Sequence, residues 1–82
     1  MSNNNIVIKG IIDQKIVRVD KNGRNYLIIK LRNKDDAIFV FSSRVVEDKW
    51  DSLEVDGEYN FTVQNGRDDR SNVLIEFESS DL

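Results

Sequence analysis

The chain has 82 residues, 39% of them hydrophobic and seven of them aromatic, which suffices for one small core and exceeds what a disordered chain carries. It has no cysteine and no histidine, so disulfides, thiolate metal sites, the commonest general base and the commonest transition-metal ligand are all excluded. The net charge of −3 is split: residues 1–34 carry eight basic side chains against two acidic, residues 35–82 four against thirteen, so one side of the molecule can face a polyanion.

In chain order, residues 1–5 are polar and read as a loose N-terminus. A long β-rich run, Ile6 to Val19, follows. Ile6, Ile8, Gly10 and Ile12 share one phase, whereas Val17 and Val19 take the other. A bulge between Asp13 and Lys15 would reconcile them, because a long strand serving two sides of a sheet must bend. Gly10 suits close backbone approach. Asp20-Lys21-Asn22-Gly23-Arg24 reads as a hairpin loop on its Asn-Gly pair, whose residues tolerate positive φ.

The second strand spans Asn25 to Arg32, with Leu27, Ile29 and Leu31 inside and Tyr26, Ile28, Lys30 and Arg32 outside. After a turn at 33–36 comes a third strand, Ala37 to Ser42. Ile38 and Val40 take its core phase, with Ala37, Phe39 and Phe41 on the other; the reversed phase would bury the two phenylalanines instead. Val46, Trp50 and Leu53 recur at i, i+4 and i+7, the stripe of one short α-helix, with Ser42 and Ser43 placed to cap it and Trp50 as its apolar plug. Asp56-Gly57 punctuates. Glu58 to Gln64 is the fourth strand, 65–71 a polar loop, and Val73, Ile75 and Phe77 the core phase of the fifth. Residues 79–82 form a short acidic tail.

Three strands, a helix and two strands within a single domain over 1–82 is the order of an all-β, five-stranded Greek-key OB-fold barrel with one short α-helix between strands three and four. Fold alone does not assign function. The outer face of strands two and three does suggest one. Tyr26, Phe39 and Phe41 are interleaved there with Lys30 and Arg32, the mixture single-stranded nucleic acid requires: bases stack on aromatic faces while cations follow the phosphates. Arg18, Lys21 and Arg24 add charge beside the first hairpin, and Arg67 and Arg70 beside the last loop, where Asp68 and Asp69 compete for them. An ordinary solvated face is the plainer reading of Lys30 and Arg32, as is a rim position for Tyr26.

Catalytic patterns are thin. Asp35-Asp36 and Asp68-Asp69 are adjacent pairs whose side chains point apart in extended chain. No phosphate loop, nucleophile elbow or metal motif occurs, so neither an enzyme nor a cofactor is expected. No apolar run approaches the ~18 residues of a membrane span, so the expectation is a cytoplasmic protein without a membrane partner.

The sequence IKGII, then YLIIKLR, then FVF leading into SSRVVEDKWDSLEVDGEYNFTV, resembles the single-stranded-DNA-binding OB domains of the replication protein A large-subunit type. The resemblance runs from Ile8 to about Phe77. It implies a base-stacking role for Phe41 and phosphate contacts for Arg18, Lys21 and Arg24. The family's second stacking aromatic, in the loop before the last strand, has no counterpart in residues 65–71, and Ala37 stands where the family often has a basic residue. The expected partner is single-stranded DNA in replication, recombination or repair, bound with little sequence preference, with RNA left open. The rival expectation is a protein-interaction OB subunit of a replication complex.

Overall fold

A computed structural model describes residues 5–35, 37–65 and 72–80. Its elements are β1 (Asn5–Val19), β2 (Asn25–Leu31), β3 (Ala37–Phe41), a 3₁₀-helix (Glu47–Ser52), β4 (Glu58–Asn65) and β5 (Asn72–Ser79). The strands close into a barrel in the order β1-β2-β3-β5-β4. All pairings are antiparallel except the short β3–β5 contact, Ile38 beside Asn72 and Phe39 beside Val73, which seals the ring.

β1 is long because it serves two neighbours. Its first half pairs with β4, from Asn5 opposite Gln64 to Ile11 opposite Glu58, and its second half with β2. The register shifts between Ile12 and Gln14, within the predicted stretch, and the extra residue bends the strand across the barrel. At Gly10 a Cβ would stand 2.9 Å from Leu31 Cδ1, so the glycine lets the buried Leu31 side chain pack directly on the strand backbone. Val17 and Val19 lie opposite Leu27 and Asn25, where the inner phase runs past the core, and both remain exposed. The hairpin between β1 and β2 is a turn whose only positive φ falls at Gly23 (83°), not at Asn22. Asp20 holds it, taking the backbone N–H of Asn22 at 2.8 Å and of Arg24 at 2.9 Å on Oδ1.

The core follows the expected phases of β2 and β3: Leu27, Ile29, Ile38 and Val40 are essentially inaccessible, which places Phe39 and Phe41 outside. Phe61 and Val63 of β4 complete it. Four expectations are corrected. The helical segment is a six-residue 3₁₀-helix, not an α-helix. Val46 does not share its buried stripe but stands exposed at the N-cap, and Val45 is buried in its place. Neither Ser42 nor Ser43 caps it; these residues sit in a turn closed by the N–H groups of Arg44 and Val45 on Phe41 O, each at 2.9 Å. Its two tight turns bury Trp50 alone, and at three residues per turn they do not carry the α-helical stripe. In β5, Asn72 and Leu74 are the buried phase at its start and Val73 and Ile75 are not, because a second register shift, opposite Thr62 and Val63, returns Phe77 to the core side.

Tyr59 ties the exit of the 3₁₀-helix to β4. Its hydroxyl donates to Ser52 O and accepts from Glu54 N, both at 2.9 Å. Tyr59→Phe keeps the ring and strands both backbone groups, so stability should fall by about 1–2 kcal/mol, read as a shifted midpoint in urea with unchanged slope. An unshifted midpoint would show that water replaces the hydroxyl without loss.

Candidate nucleic-acid interface

Alternation along β2 and β3 turns Tyr26, Ile28 and Lys30 outward beside Phe41, Phe39 and Ala37, their direct cross-strand partners. β1 extends the same face with Arg18 opposite Tyr26, Ile16 opposite Ile28 and Gln14 opposite Lys30. The closing contact with β5 adds Val73 beside Phe39. The face is thus four strands wide, with aromatic and aliphatic side chains in the middle and cations toward its borders.

Tyr26, Phe39 and Phe41 form one cluster. Phe39 and Phe41 lie 6.4 Å apart with planes 12° from parallel; Tyr26 is 5.6 Å from Phe41 and 6.4 Å from Phe39. All three are partly exposed. The rings lie at the spacing of aromatic contacts and support one another on the sheet.

The cations divide into two sets. Arg18, Lys21, Arg24 and Lys30 are exposed, and among the described residues no ion pair engages them. Arg18 stands across from Tyr26, and Arg24 shares a pocket with Phe41. Arg32 is different. The chain leaves β2 there, with Asn33 at φ 63°, and the guanidinium is hydrogen-bonded to Asp56 and 3.6 Å from Asp13. The Asp56 hydrogen bond, opposed by some desolvation, raises its pKa above the ordinary arginine value. Asp13 is the bulge residue of β1 and Asp56 the positive-φ residue before β4, so Arg32 fastens two backbone irregularities together. Its charge is already balanced, and it belongs to this corner rather than to the aromatic cluster. Arg67 and Arg70 lie outside the described residues.

Three contributors escaped the sequence reading. Ile16 enters the face because of the β1 bulge, whose consequence for Ile16 was not drawn from the sequence, and Val73 because of the β5 shift, which has no local signature strong enough to reset the phase. The third is the polar pocket at the corner of the face, where Asp20, Asn25, Ser42 and Ser43 gather around Phe41 and Arg24. Its members come from two turns and two strand ends, so nothing in their spacing announces them.

No protein-family model matches the sequence, and no curated protein matches it. Solved structures do match the fold. A crystal form of the mitochondrial single-stranded DNA binding protein Rim1 of S. cerevisiae superposes with a TM-score of 0.71 at 14% identity, over 98% of this chain and 96% of that one. A second form of the same protein gives 0.67 at 14% identity, over 96% and 97%. At this identity the likeness establishes the architecture, an OB-fold of the kind found in single-stranded DNA binding proteins.

Proposed function

We propose that this barrel is a binding module for single-stranded nucleic acid, with DNA as the principal ligand, and not an enzyme. The observation that carries the proposal is the cluster of Tyr26, Phe39 and Phe41, three mutually supporting rings left partly open on the outer face of β2 and β3. Cations at its borders that no ion pair engages among the described residues, and the fold shared with proteins described as binding single-stranded DNA, support the same reading. Bases stack on the rings, and Arg18, Lys21, Arg24 and Lys30 meet phosphates. The stacking surface accepts any base. A place in replication, recombination or repair, a cytoplasmic location and kinship with the replication protein A large-subunit type belong to this proposal too. The acidic second half of the chain favours a second reading, in which the same face docks a protein partner.

The test is fluorescence anisotropy of a labelled single strand of about 15 nucleotides, the upper range for one such barrel, at several salt concentrations. Duplex DNA and RNA of the same length compete. Saturable binding that prefers the single strand and weakens with salt is expected; absence of binding at low salt would reassign the face to a protein partner. Arg18→Ala should flatten the slope of log K against log salt by about 0.7, the value for one phosphate contact on a single strand. Arg32→Ala should leave the slope nearly unchanged, because Asp13 and Asp56 already balance that charge. Equal effects from the two variants would overturn this division of the cations.

A further inference from the structure

We infer that the pocket beside Phe41 reads one base of the bound strand and prefers cytosine to thymine. The inference rests on the single-strand reading above and adds a preference to a face whose stacking is otherwise indifferent to sequence.

The pocket lies where β2 begins and β3 ends. Its lining is Asp20, Arg24, Asn25, Phe41, Ser42 and Ser43. Tyr26 lies directly opposite Phe41, and Asn25 and Ser42 are the next residues at the two strand ends, where they line one pocket with Phe41. A ring stacked on Phe41 therefore has its edge beside this polar corner.

The corner is rich in fixed acceptors. Asp20 is held by two backbone N–H groups on Oδ1, which aims the carboxylate; its second oxygen makes no such bond among the described residues. The Asn25 amide nitrogen donates to Glu47 Oε2 at 3.3 Å, which leaves the amide oxygen as the acceptor on its other side. Ser42 and Ser43 can donate or accept. The Asp20 carboxylate disfavours a phosphate beside it, whereas Arg24 on the same lining can hold the neighbouring one. A base edge can enter beside the carboxylate, provided that it brings a donor.

Cytosine brings one, since its exocyclic amine donates readily to a carboxylate. Thymine presents a carbonyl oxygen at the same ring position, and that oxygen would face the carboxylate oxygen without a proton between them. Arg24, on the pocket's rim, remains available to the adjoining phosphate or to the other carbonyl of the pyrimidine. Comparing the two pyrimidines holds ring size nearly constant; they differ in the donor or acceptor at ring position 4, in the N3 proton and in the thymine methyl, and the Asp20→Asn variant isolates the first.

The experiment measures the affinities of homopolymeric dC and dT strands of about 15 nucleotides, a length suited to one barrel. It is run at mildly alkaline pH, where cytosine strands stay unpaired, on the wild-type protein and on Asp20→Asn. Homopolymers place the same base in the pocket in every register. The wild type should bind dC about tenfold more tightly than dT, one discriminating hydrogen bond being of that order. In Asp20→Asn the side-chain oxygen can still accept both backbone N–H groups, and the amide NH₂ then points into the pocket as a donor. Both strands gain from the lost negative charge, but the dC to dT ratio should fall to unity or invert. Equal affinities in the wild type, or a dC preference that survives Asp20→Asn, would overturn the inference while leaving the binding function standing. Failure of both strands to bind would overturn the function itself, and the pocket reading with it.

Discussion

Phe41→Ala should weaken single-strand binding by about 1–3 kcal/mol while the barrel stays folded. Phe41 sits at the end of β3 with its ring 5.6 Å from Tyr26 and 6.4 Å from Phe39, so its loss removes one stacking surface and the lateral support of two others. Phe41 is not part of the buried cluster, whose β3 members are Ile38 and Val40. The stability change should therefore stay near the ~0.2–1 kcal/mol of a cross-strand pair. Anisotropy measures the first quantity and thermal unfolding the second. Phe41→Tyr should retain most of the affinity, since the stacking surface survives. Wild-type affinity in Phe41→Ala would mean that the strand, if it binds, does not cross this face. Lost affinity together with gross unfolding would assign Phe41 to packing, and Phe41→Tyr would then separate the two roles.

Trp50→Ala should destabilise the fold by about 3–5 kcal/mol, the range for removing a large buried aromatic. A domain of this length holds roughly 4–12 kcal/mol in total, so the variant should be largely unfolded well below the wild-type midpoint. Trp50 is 5% exposed and packs in the cluster with Leu53, Tyr59 and Val45. Its indole N–H donates to Val45 O at 2.9 Å. Its carbonyl accepts from Lys15 Nζ at 3.0 Å and from Leu53 N at 3.1 Å, which anchors the 3₁₀-helix to β1 and to the following loop. Trp50→Phe keeps most of the ring but leaves Val45 O without its donor, and should fall between the wild type and the alanine variant. Trp50 is the only tryptophan, so unfolding of these variants is followed by far-ultraviolet circular dichroism. A small shift in Trp50→Ala would show that the residue is a surface plug and not part of the core. Together the two aromatic variants separate the molecule's functions: one ring holds the barrel, the other is offered to a ligand.

Local pattern carries far in some elements and fails in others for identifiable reasons. Leu27, Ile29 and Leu31 against Tyr26, Ile28 and Lys30 leave one way to bury a strand, and that way is observed. In β3 the sequence allowed two phases, and the burial of Ile38 and Val40 decides between them and places Phe39 and Phe41 outside. β5 defeats the argument because Val73, Ile75 and Phe77 are all apolar on one phase while the strand shifts register between Leu74 and Phe77. A period of two cannot survive an inserted residue. The Val46, Trp50, Leu53 spacing suits an α-helix, yet the segment winds as a six-residue 3₁₀-helix, and Val45 takes the buried place instead of Val46.

Side-chain pairing is the least legible layer. Arg32 alternates with Lys30 in sequence and reads as its companion. Its real partners are Asp13 and Asp56, far off along the chain, brought to it by a bulge and a positive-φ turn. The Asp20–Asn25–Ser42 corner has the same character. Hydrophobic alternation, Asn-Gly punctuation and the order of elements were enough to determine a small closed β-barrel with an aromatic, basic face, because burial along a strand depends only on residues two apart. Which cations remain available for phosphates, which aliphatics join the face, and what surrounds Phe41 were decided by tertiary structure alone. Those properties depend on where bulges and turns bring distant segments together, and the free energy of such contacts is set by neighbours that no local window contains.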